Sequence, residues 1–176
     1  MTAGSRLRAT ETSFIVAVQR TRLAAALVPA GRALSFFGEH AAGWILLGLL
    51  GAGIDWPHAG AWLLSVLAVV VAHGLSIVIK RVVRRPRPGA GAPSAVRVFA
   101  TAPSKLSFPS SHASSTMAAC IVYTAFVPQL WWLAVIVALA MGASRVLLGM
   151  HFVTDVLAGY LIGLVVGVPT ILLLHG

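Results

Sequence analysis

Residues 144 to 155 read S-R-V-L-L-G-M-H-F-V-T-D and place five polar or ionisable side chains between two apolar segments. Burying so much polarity is costly, which favours a functional reason for it. On a helix, the spacing of four residues between His151 and Asp155 puts the carboxylate beside the imidazole, as in a nucleophilic or basic histidine. Arg145 would place a guanidinium, a group suited to binding phosphate, at the same end of the helices as His151. The alternative is a snorkelling arginine, a hydrogen-bonded histidine and an aspartate at a helix N-terminus.

The composition indicates an integral membrane protein. Of the 176 residues, 59% are hydrophobic and 10% are charged, which is far from the composition of a soluble domain. The net charge of +9 is compatible with nucleic acid, but the basic residues flank apolar segments without an interleaved aromatic platform. We therefore expect anionic phospholipid headgroups and phosphate as partners, and no nucleic acid. The single cysteine, Cys120, cannot form an internal disulfide, so helix packing alone has to hold the fold.

The hydropathy pattern predicts an all-α fold, a polytopic membrane helix bundle of about five transmembrane helices. Residues 5 to 32 carry five arginines among small and apolar side chains, which favours an amphipathic helix at the interface rather than a span. We therefore divide the chain into a basic N-terminal segment, residues 1–32, and a transmembrane domain, residues 33–176. No cleaved leader is expected, because the first apolar run is short. The spans are predicted at residues 33 to 54, 60 to 79, about 110 to 127, 130 to 148 and 151 to 174.

Three ionisable residues fall inside the first two predicted spans. Glu39 and His40 either lie at headgroup depth or turn into the bundle as possible substrate contacts, and both alternatives stay open. His73 lies near neither end of its span, which favours a hydrogen-bonded structural histidine over a catalytic one.

The second predicted span ends in the basic run K-R-V-V-R-R-P-R-P, residues 80 to 88. Its prolines stop the helix and hold Arg87 in an extended turn. A basic run beside a membrane helix is by itself only an orientation and headgroup signal. The loop that follows is the longest interruption of the chain, and loops of this length often act as lids. Arg84 and Lys105 are therefore further possible substrate contacts.

Residues 108 to 115, F-P-S-S-H-A-S-S, are typical of a helix start, since a proline is followed by serines. A helix N-terminus presents free backbone N–H groups and the positive end of the helix dipole, so Ser110 and Ser111 would form a phosphate site. His112 would stand on the rim of this site. Ordinary capping beside an interfacial histidine is the alternative.

Five spans would bring all of these clusters to one membrane face, although they lie far apart in the sequence. The sequence contains no H-E-x-x-H motif, no glycine-rich phosphate loop and no acidic cluster, so we expect no metal and no other cofactor. The residues predicted to lie together at one end of the bundle are Lys80, Arg87, Ser110, Ser111, His112, Arg145, His151 and Asp155.

The spacing of these clusters resembles that of the type 2 phosphatidic acid phosphatase superfamily. K-x6-R-P at residues 80 to 88, P-S-x-H at residues 109 to 112 and S-R-x5-H-x3-D at residues 144 to 155 occur in the family's order with helices between them. Ser111 stands where glycine is commonest, and the family usually has one core helix more than the five predicted here. The F-G-E-H start of the first span and the short chain look most like actinobacterial members that act on a polyprenyl-linked phosphosugar.

The resemblance implies a chemistry for these positions. His151 would attack phosphorus and form a phosphohistidine, Asp155 would orient it, and His112 would protonate the leaving alkoxide. The implied function is a metal-independent phosphatase of a membrane lipid phosphate in the cytoplasmic membrane of a bacterium. Undecaprenyl pyrophosphate, phosphatidic acid and phosphatidylglycerophosphate are alternative substrates, and a catalytically silent lipid-binding protein is the alternative of another class. The residues implied to bind phosphate are Lys80, Arg87, Ser110, Ser111 and Arg145.

The charge distribution predicts which side of the membrane the site faces. All 13 lysine and arginine residues lie in the N-terminal segment, around the loop after the second span, or at the turn before the last span. Five spans put these regions on one face, which the positive-inside rule assigns to the cytoplasm. The residues leave the oligomeric state open, and an oligomer is possible.

Overall fold

The computed structural model describes residues 3–90, 95–102 and 104–175. These residues form α-helices joined by short 3₁₀ turns and loops, which confirms the expected all-α class for this part of the chain. The 3₁₀ turns are Glu39–Ala41, Trp56–His58 and Pro128–Leu130. The α-helices are α1 (Ala3–Gln19), α2 (Arg22–Phe37), α3 (Ala42–Ile54), α4 (Ala59–Val83), α5 (Ser111–Thr124), α6 (Trp131–Leu147) and α7 (Val153–His175).

Three described segments are long and apolar enough to cross a membrane, namely Trp56–Val83, Pro128–Leu147 and Val153–Leu174. They correspond to predicted spans two, four and five. α2 and α3 meet the same criterion only as a pair that is bent by 50°. α3 has 13 residues and α5 has 14, so each rises roughly 20 Å, less than the ~30 Å of a hydrocarbon core. The chain is thus a helical membrane protein, and the count of five spans stays a prediction.

The short helix α5 lies at the centre of the bundle and packs against α4, α6 and α7. Its buried face consists of small residues, which let the neighbouring backbones come close. α7 packs glycines against this face. A Cβ on Gly163 would lie 2.7 Å from the carbonyl oxygen of Ser114 and 2.9 Å from the backbone nitrogen of Ala118. This contact holds the first half of α5 against the middle of α7.

The N-terminal segment forms two helices, not the one that was predicted over residues 5 to 32. Thr21 separates them, because its Oγ1 accepts a hydrogen bond from the backbone N–H of Ala24 at 3.1 Å and caps α2. α2 then continues past residue 32 and ends only at Gly38, so the predicted segment boundary falls inside a helix.

The N-terminal helices also pack onto the bundle. The Gln19 side chain donates hydrogen bonds to the carbonyl oxygens of Arg97 and Leu147, at 2.8 and 2.9 Å. Ile15 is buried against the ends of α6 and α7. α1 therefore contacts the same end of the bundle as the loop between α4 and α5.

The α5–α7 contact can be tested with a matched pair of glycine substitutions. We expect Gly163→Ala to lower the stability by about 1–3 kcal/mol, because two of the atoms that its Cβ would meet belong to the backbone of α5. Gly74→Ala is the control, since a Cβ there has nothing within 4 Å and alanine favours a helix. Thermal unfolding in detergent measures both. Equal midpoints for the two variants would contradict the close contact.

Candidate active site

A cavity of about 300 Å³ lies between the start of α5, the end of α4 and the loop that joins α6 to α7. Six of the eight residues that were predicted to lie together at one end of the bundle line this cavity. The other two, Ser110 and Asp155, lie behind this lining, and the backbone N–H of Ser110 donates to the carbonyl oxygen of Asp155 at 2.9 Å. The six lining residues are Lys80, Arg87, Ser111, His112, Arg145 and His151.

The floor of the cavity joins the last turn of α4 to the first turn of α5. Lys80 is 9% exposed, and its ammonium donates to Ser111 Oγ at 3.2 Å. The first turn of α5 leaves the backbone N–H groups of Ser111 and His112 without an acceptor inside the helix. Ser110 does not line the cavity, contrary to its prediction as a phosphate ligand. Its hydroxyl instead caps α5 by accepting from the N–H of Ala113, at 3.4 Å.

Arg145 is fully buried, and neutral oxygen atoms satisfy its guanidinium. It donates to Ser144 Oγ at 3.1 and 3.0 Å, to Ser35 Oγ at 2.8 Å and to the carbonyl oxygen of Gly31 at 3.3 Å. None of these acceptors carries a formal charge, so the guanidinium charge is not neutralised.

Arg87 is held in a similar way. Its guanidinium donates to the carbonyl oxygens of Ser104 at 2.9 Å and Met150 at 2.8 Å. Burial lowers the pKa of Arg87, although the nearby carboxylate of Asp155 opposes this effect. An arginine stays protonated despite such a shift.

The cations of the cavity therefore lack ion-pair partners. Within residues 3–90, 95–102 and 104–175, no carboxylate forms an ion pair with Lys80, Arg87 or Arg145. Buried charges without counter-charges are costly, and an anion in the cavity would remove this cost. The electrostatics of the cavity thus fit a phosphate group.

The loop between α6 and α7 turns His151 into the cavity. Gly149 ends α6 with φ of +69°, and a Cβ at this position would collide with the carbonyl oxygen of Arg97. His151 is 3% exposed, and its Nε2 lies 3.4 Å from an Nη atom of Arg87. Burial lowers the pKa of His151 to about 4, the carboxylate of Asp155 opposes this shift, and the charge of Arg87 adds to it. The imidazole is therefore neutral near neutral pH and keeps a lone pair for the cavity.

The expected hydrogen bond between His151 and Asp155 is not formed. His151 Nδ1 lies 3.7 Å from Asp155 Oδ2, beyond hydrogen-bonding distance, and it has no other partner. The reason is that other donors hold the carboxylate. Asp155 Oδ1 accepts from Arg85 at 2.8 Å, and Oδ2 accepts from the backbone N–H of Phe152 at 2.9 Å.

Arg85 is a residue of this site that the sequence did not single out. Its guanidinium stacks on the ring of Phe152 at 4.1 Å and donates to Thr154 Oγ1 at 2.6 Å, besides its bond to Asp155. It also pairs with Glu11 of α1 at 2.6 Å. Glu11 in turn accepts from the N–H and the hydroxyl of Thr154, at 2.9 and 2.8 Å. Glu11 was the available signal, since it is the one acidic residue among the arginines of residues 5 to 32.

His112 faces the end of α2 across the cavity. Its Nε2 lies 3.1 Å from the carbonyl oxygen of Ser35. Because a carbonyl oxygen only accepts, Nε2 carries the proton and Nδ1 is the basic nitrogen of the ring. A Cβ on Gly38 would lie 2.8 Å from His112 Cδ2, so this glycine allows the end of α2 to lie directly against the histidine.

The remaining predicted residues separate into two groups. Glu39 and His40 line the cavity with exposed side chains, so their contact with substrate stays a prediction. Arg84 and Lys105 are exposed and do not line the cavity, so their contact with substrate also stays a prediction. Arg84 occupies the C-cap of α4, where the chain leaves the helix.

His73 also departs from its prediction as a hydrogen-bonded structural histidine. It lines the cavity, and its buried Nδ1 has no partner. The other polar lining residues could not be predicted from the sequence, because such residues are common in loops and at helix ends. These residues are Ser35, Arg81, Thr101 and Ser104.

Residues 60–175, which include every element of the phosphate site, match the PAP2 superfamily. The chain belongs to this superfamily of phosphatases, as its three motifs indicated. It is therefore a phosphatase of the membrane-embedded kind.

Two curated relatives share most of the chain. The decaprenylphosphoryl-5-phosphoribose phosphatase of Mycobacterium tuberculosis is 39% identical over 160 residues, which cover 89% of this chain and 86% of the relative. The enzyme of the same name from Mycolicibacterium smegmatis is 41% identical over 152 residues, or 85% of this chain and 81% of the relative. Both alignments extend well beyond the three motifs.

A solved structure has the same fold. The crystal structure of a transmembrane PAP2 type phosphatidylglycerolphosphate phosphatase from Bacillus subtilis superposes with a TM-score of 0.57. It covers 93% of this chain and 92% of its own, at 24% sequence identity. At this identity the similarity concerns the fold alone.

The contacts of Arg85 can be tested by removing its charge. We expect Arg85→Gln to cost roughly 3–5 kcal/mol of stability, because it leaves the buried carboxylates of Glu11 and Asp155 without their cation. The neighbouring exposed Arg84→Gln should change the stability by less than about 0.5 kcal/mol. Thermal unfolding in detergent measures both variants. If the two midpoints agree, the buried ion pairs do not hold this part of the fold.

Proposed function

We propose that this phosphatase removes the phosphomonoester of a polyprenyl-linked lipid without a metal ion, and that decaprenylphosphoryl-5-phosphoribose is its substrate. The observation that carries the proposal is the cluster of two buried cations and the half-buried Arg87, without ion pairs among the described residues and beside two histidines in one cavity. The relatives of that name, aligned over more than four-fifths of this chain, support the choice of substrate.

In the proposed mechanism, Nε2 of neutral His151 attacks phosphorus in line, and the bond from phosphorus to the sugar oxygen breaks. His112, which takes up a proton at Nδ1 when the phosphate binds, gives this proton to the leaving alkoxide and becomes neutral again. A water molecule then attacks the phosphohistidine, with His112 as the base, and releases inorganic phosphate. Asp155 stabilises the imidazolium of His151 once the 3.7 Å gap between them closes.

The cations supply the charge that phosphoryl transfer requires. The equatorial oxygens of the transferred group carry negative charge in the transition state, so fixed donors around them lower the barrier. Lys80, Arg87 and Arg145 provide this charge in the proposal, and the N–H groups at the start of α5 provide further donors. Five positive or dipolar groups would then surround one phosphate without a metal ion.

A catalytically silent lipid-binding protein would need the cations but not the two histidines. The neutral state of His151 also favours catalysis, since a histidine kept for binding phosphate would be more useful when protonated. We therefore favour the phosphatase.

The proposed covalent step predicts a trapped intermediate. With radiolabelled lipid phosphate and excess EDTA, we expect the wild-type enzyme to carry label after an alkaline denaturing quench, which preserves a phosphohistidine. His151→Asn should carry none and should lose at least about 10⁴-fold in turnover. His58→Asn is the control, because His58 is exposed and lies outside the cavity. Wild-type turnover without label, or turnover that requires Mg²⁺, would rule out this mechanism.

We further propose that the site faces the cytoplasm, with α3 to α7 crossing the membrane in alternating directions. Two contacts support placing α1 and α2 on the face of the site. Gln19 contacts Leu147, and the Arg32 side chain donates to the carbonyl oxygen of Phe99 at 2.7 Å. All 13 basic residues would then share this face. The exposed arginines of α1 and α2 would meet anionic phospholipid headgroups.

The orientation predicts the accessibility of single cysteines in intact cells. In a Cys120→Ser background, Ala102→Cys should resist an impermeant maleimide until the cells are permeabilised, whereas Gln129→Cys should react from outside. Both positions are exposed, and they lie at opposite ends of the bundle. The reverse labelling pattern would place the site outside the cytoplasm. It would then favour a phosphatase that recycles lipid carriers at the outer face.

A further inference from the structure

The cavity has a second half that the phosphate does not need. Its polar residues come from the end of α2, the 3₁₀ turn after it, the middle of α4 and the loop before α5. They are Ser35, Glu39, His40, His73 and Thr101, which we call the α2-side residues.

The α2-side residues lie on the side of the cavity where the leaving group departs, if the proposed function holds. His112 donates to the carbonyl oxygen of Ser35, and Gly38 lies against its ring. An alkoxide that takes its proton from His112 Nδ1 lies beside this ring, in the cavity that Glu39 and His40 also line. The group bonded to that oxygen would contact Glu39 and His40 next.

Some hydrogen-bonding groups of this half are unused, although Ser35 Oγ already accepts from Arg145 at 2.8 Å. In the described parts of the chain, the Glu39 carboxylate forms no ion pair with any cation, and no hydrogen bond to its oxygens is present. The buried Nδ1 of His73 has no partner either. His40 contacts His73 through their rings, whose centroids are 6.4 Å apart. Together these side chains offer acceptors and donors to a ligand.

The charges of the cavity limit what this ligand can be. A second phosphate would be repelled by the Glu39 carboxylate, and a cationic headgroup such as ethanolamine would be repelled by Lys80, Arg81 and Arg145. Neutral hydroxyl groups can donate to a carboxylate and accept from an imidazole without either penalty. We propose that the α2-side residues form a subsite for the hydroxyl groups of a sugar whose phosphate occupies the cationic half.

The backbone and the size of the cavity agree with this assignment. His40 and Ala41 both have positive φ, 51° and 60°, in the turn that carries the two lining residues Glu39 and His40. The volume of about 300 Å³ is at the lower end of the range for small-molecule sites, roughly 300–1,000 Å³. It suits a compact phosphosugar, so the polyprenyl chain would lie outside it.

The subsite predicts a change in substrate selectivity. We compare kcat/KM for a short-chain polyprenylphosphoryl-5-phosphoribose and for phosphatidic acid, which has no sugar hydroxyl groups, in the same detergent. Glu39→Gln should lower the ratio of the two values by roughly 10- to 100-fold, as expected for losing a hydrogen bond to a charged group. Asp55→Asn is the control, because this carboxylate lies at the opposite end of α4 and outside the cavity. It should leave the ratio unchanged.

A second variant keeps the proposal testable if Glu39→Gln does not fold. His40→Asn retains a residue that tolerates positive φ and should lower the same ratio. Equal losses on both substrates, or no loss on either, would overturn the subsite while leaving the phosphatase intact. A wild-type enzyme that releases phosphate from neither substrate would instead refute the proposed function, and the subsite with it.

Discussion

The structure depends on enclosing three cations inside a helix bundle without neutralising them. Hydroxyl and carbonyl oxygens satisfy the N–H groups of Arg87 and Arg145, so the cost of removing water is reduced but the charge is kept. This requires that α2, α6 and the loops all present acceptors at one level of the bundle. The close packing of α5 on α7 holds that level in place, since it fixes the first turn of α5 against the loop that carries His151.

Two carboxylates, those of Glu11 and Asp155, are kept out of this arrangement, whereas Glu39 lines the cavity. Glu11 and Asp155 are both engaged by Arg85, which therefore acts as a counter-ion on the far side of His151. The protein thus separates its buried charges into a paired set behind the histidine and an unpaired set in front of it.

Much of the phosphate site could be predicted from the sequence because its residues stand at helix ends. Polar residues at helix ends have few places to lie in a membrane protein. Here they are a lysine before a proline-rich helix end, serines at a helix start and an arginine at the end of a span. The direction of individual side chains could not be predicted. Three neighbouring positions carry the same residue type, namely Arg84, Arg85 and Arg87. The left-handed φ of Arg84 at the C-cap decides which of these arginines face inward.

The other differences have similar local causes. The turn at Glu39 and His40 is set by positive φ in residues other than glycine, for which the sequence carries no signal. Ser110 was taken for a ligand because a capping hydroxyl and a binding hydroxyl look alike in sequence. The break between α1 and α2 rests on one threonine cap inside an otherwise helical segment, whose arginines suggested a free interfacial helix.

The contacts of Glu11 have a consequence for the order in which the protein can be made. Glu11 belongs to the first helix to leave the ribosome, whereas Thr154 belongs to the last, and Arg85 lies midway between them. The first helix must therefore wait, with its carboxylate in water or among headgroups, until the final helix has been inserted. A nascent chain that stops at the end of α6 lacks both His151 and Thr154, the docking partner of α1, so assembly of the bundle and maturation of the enzyme end together.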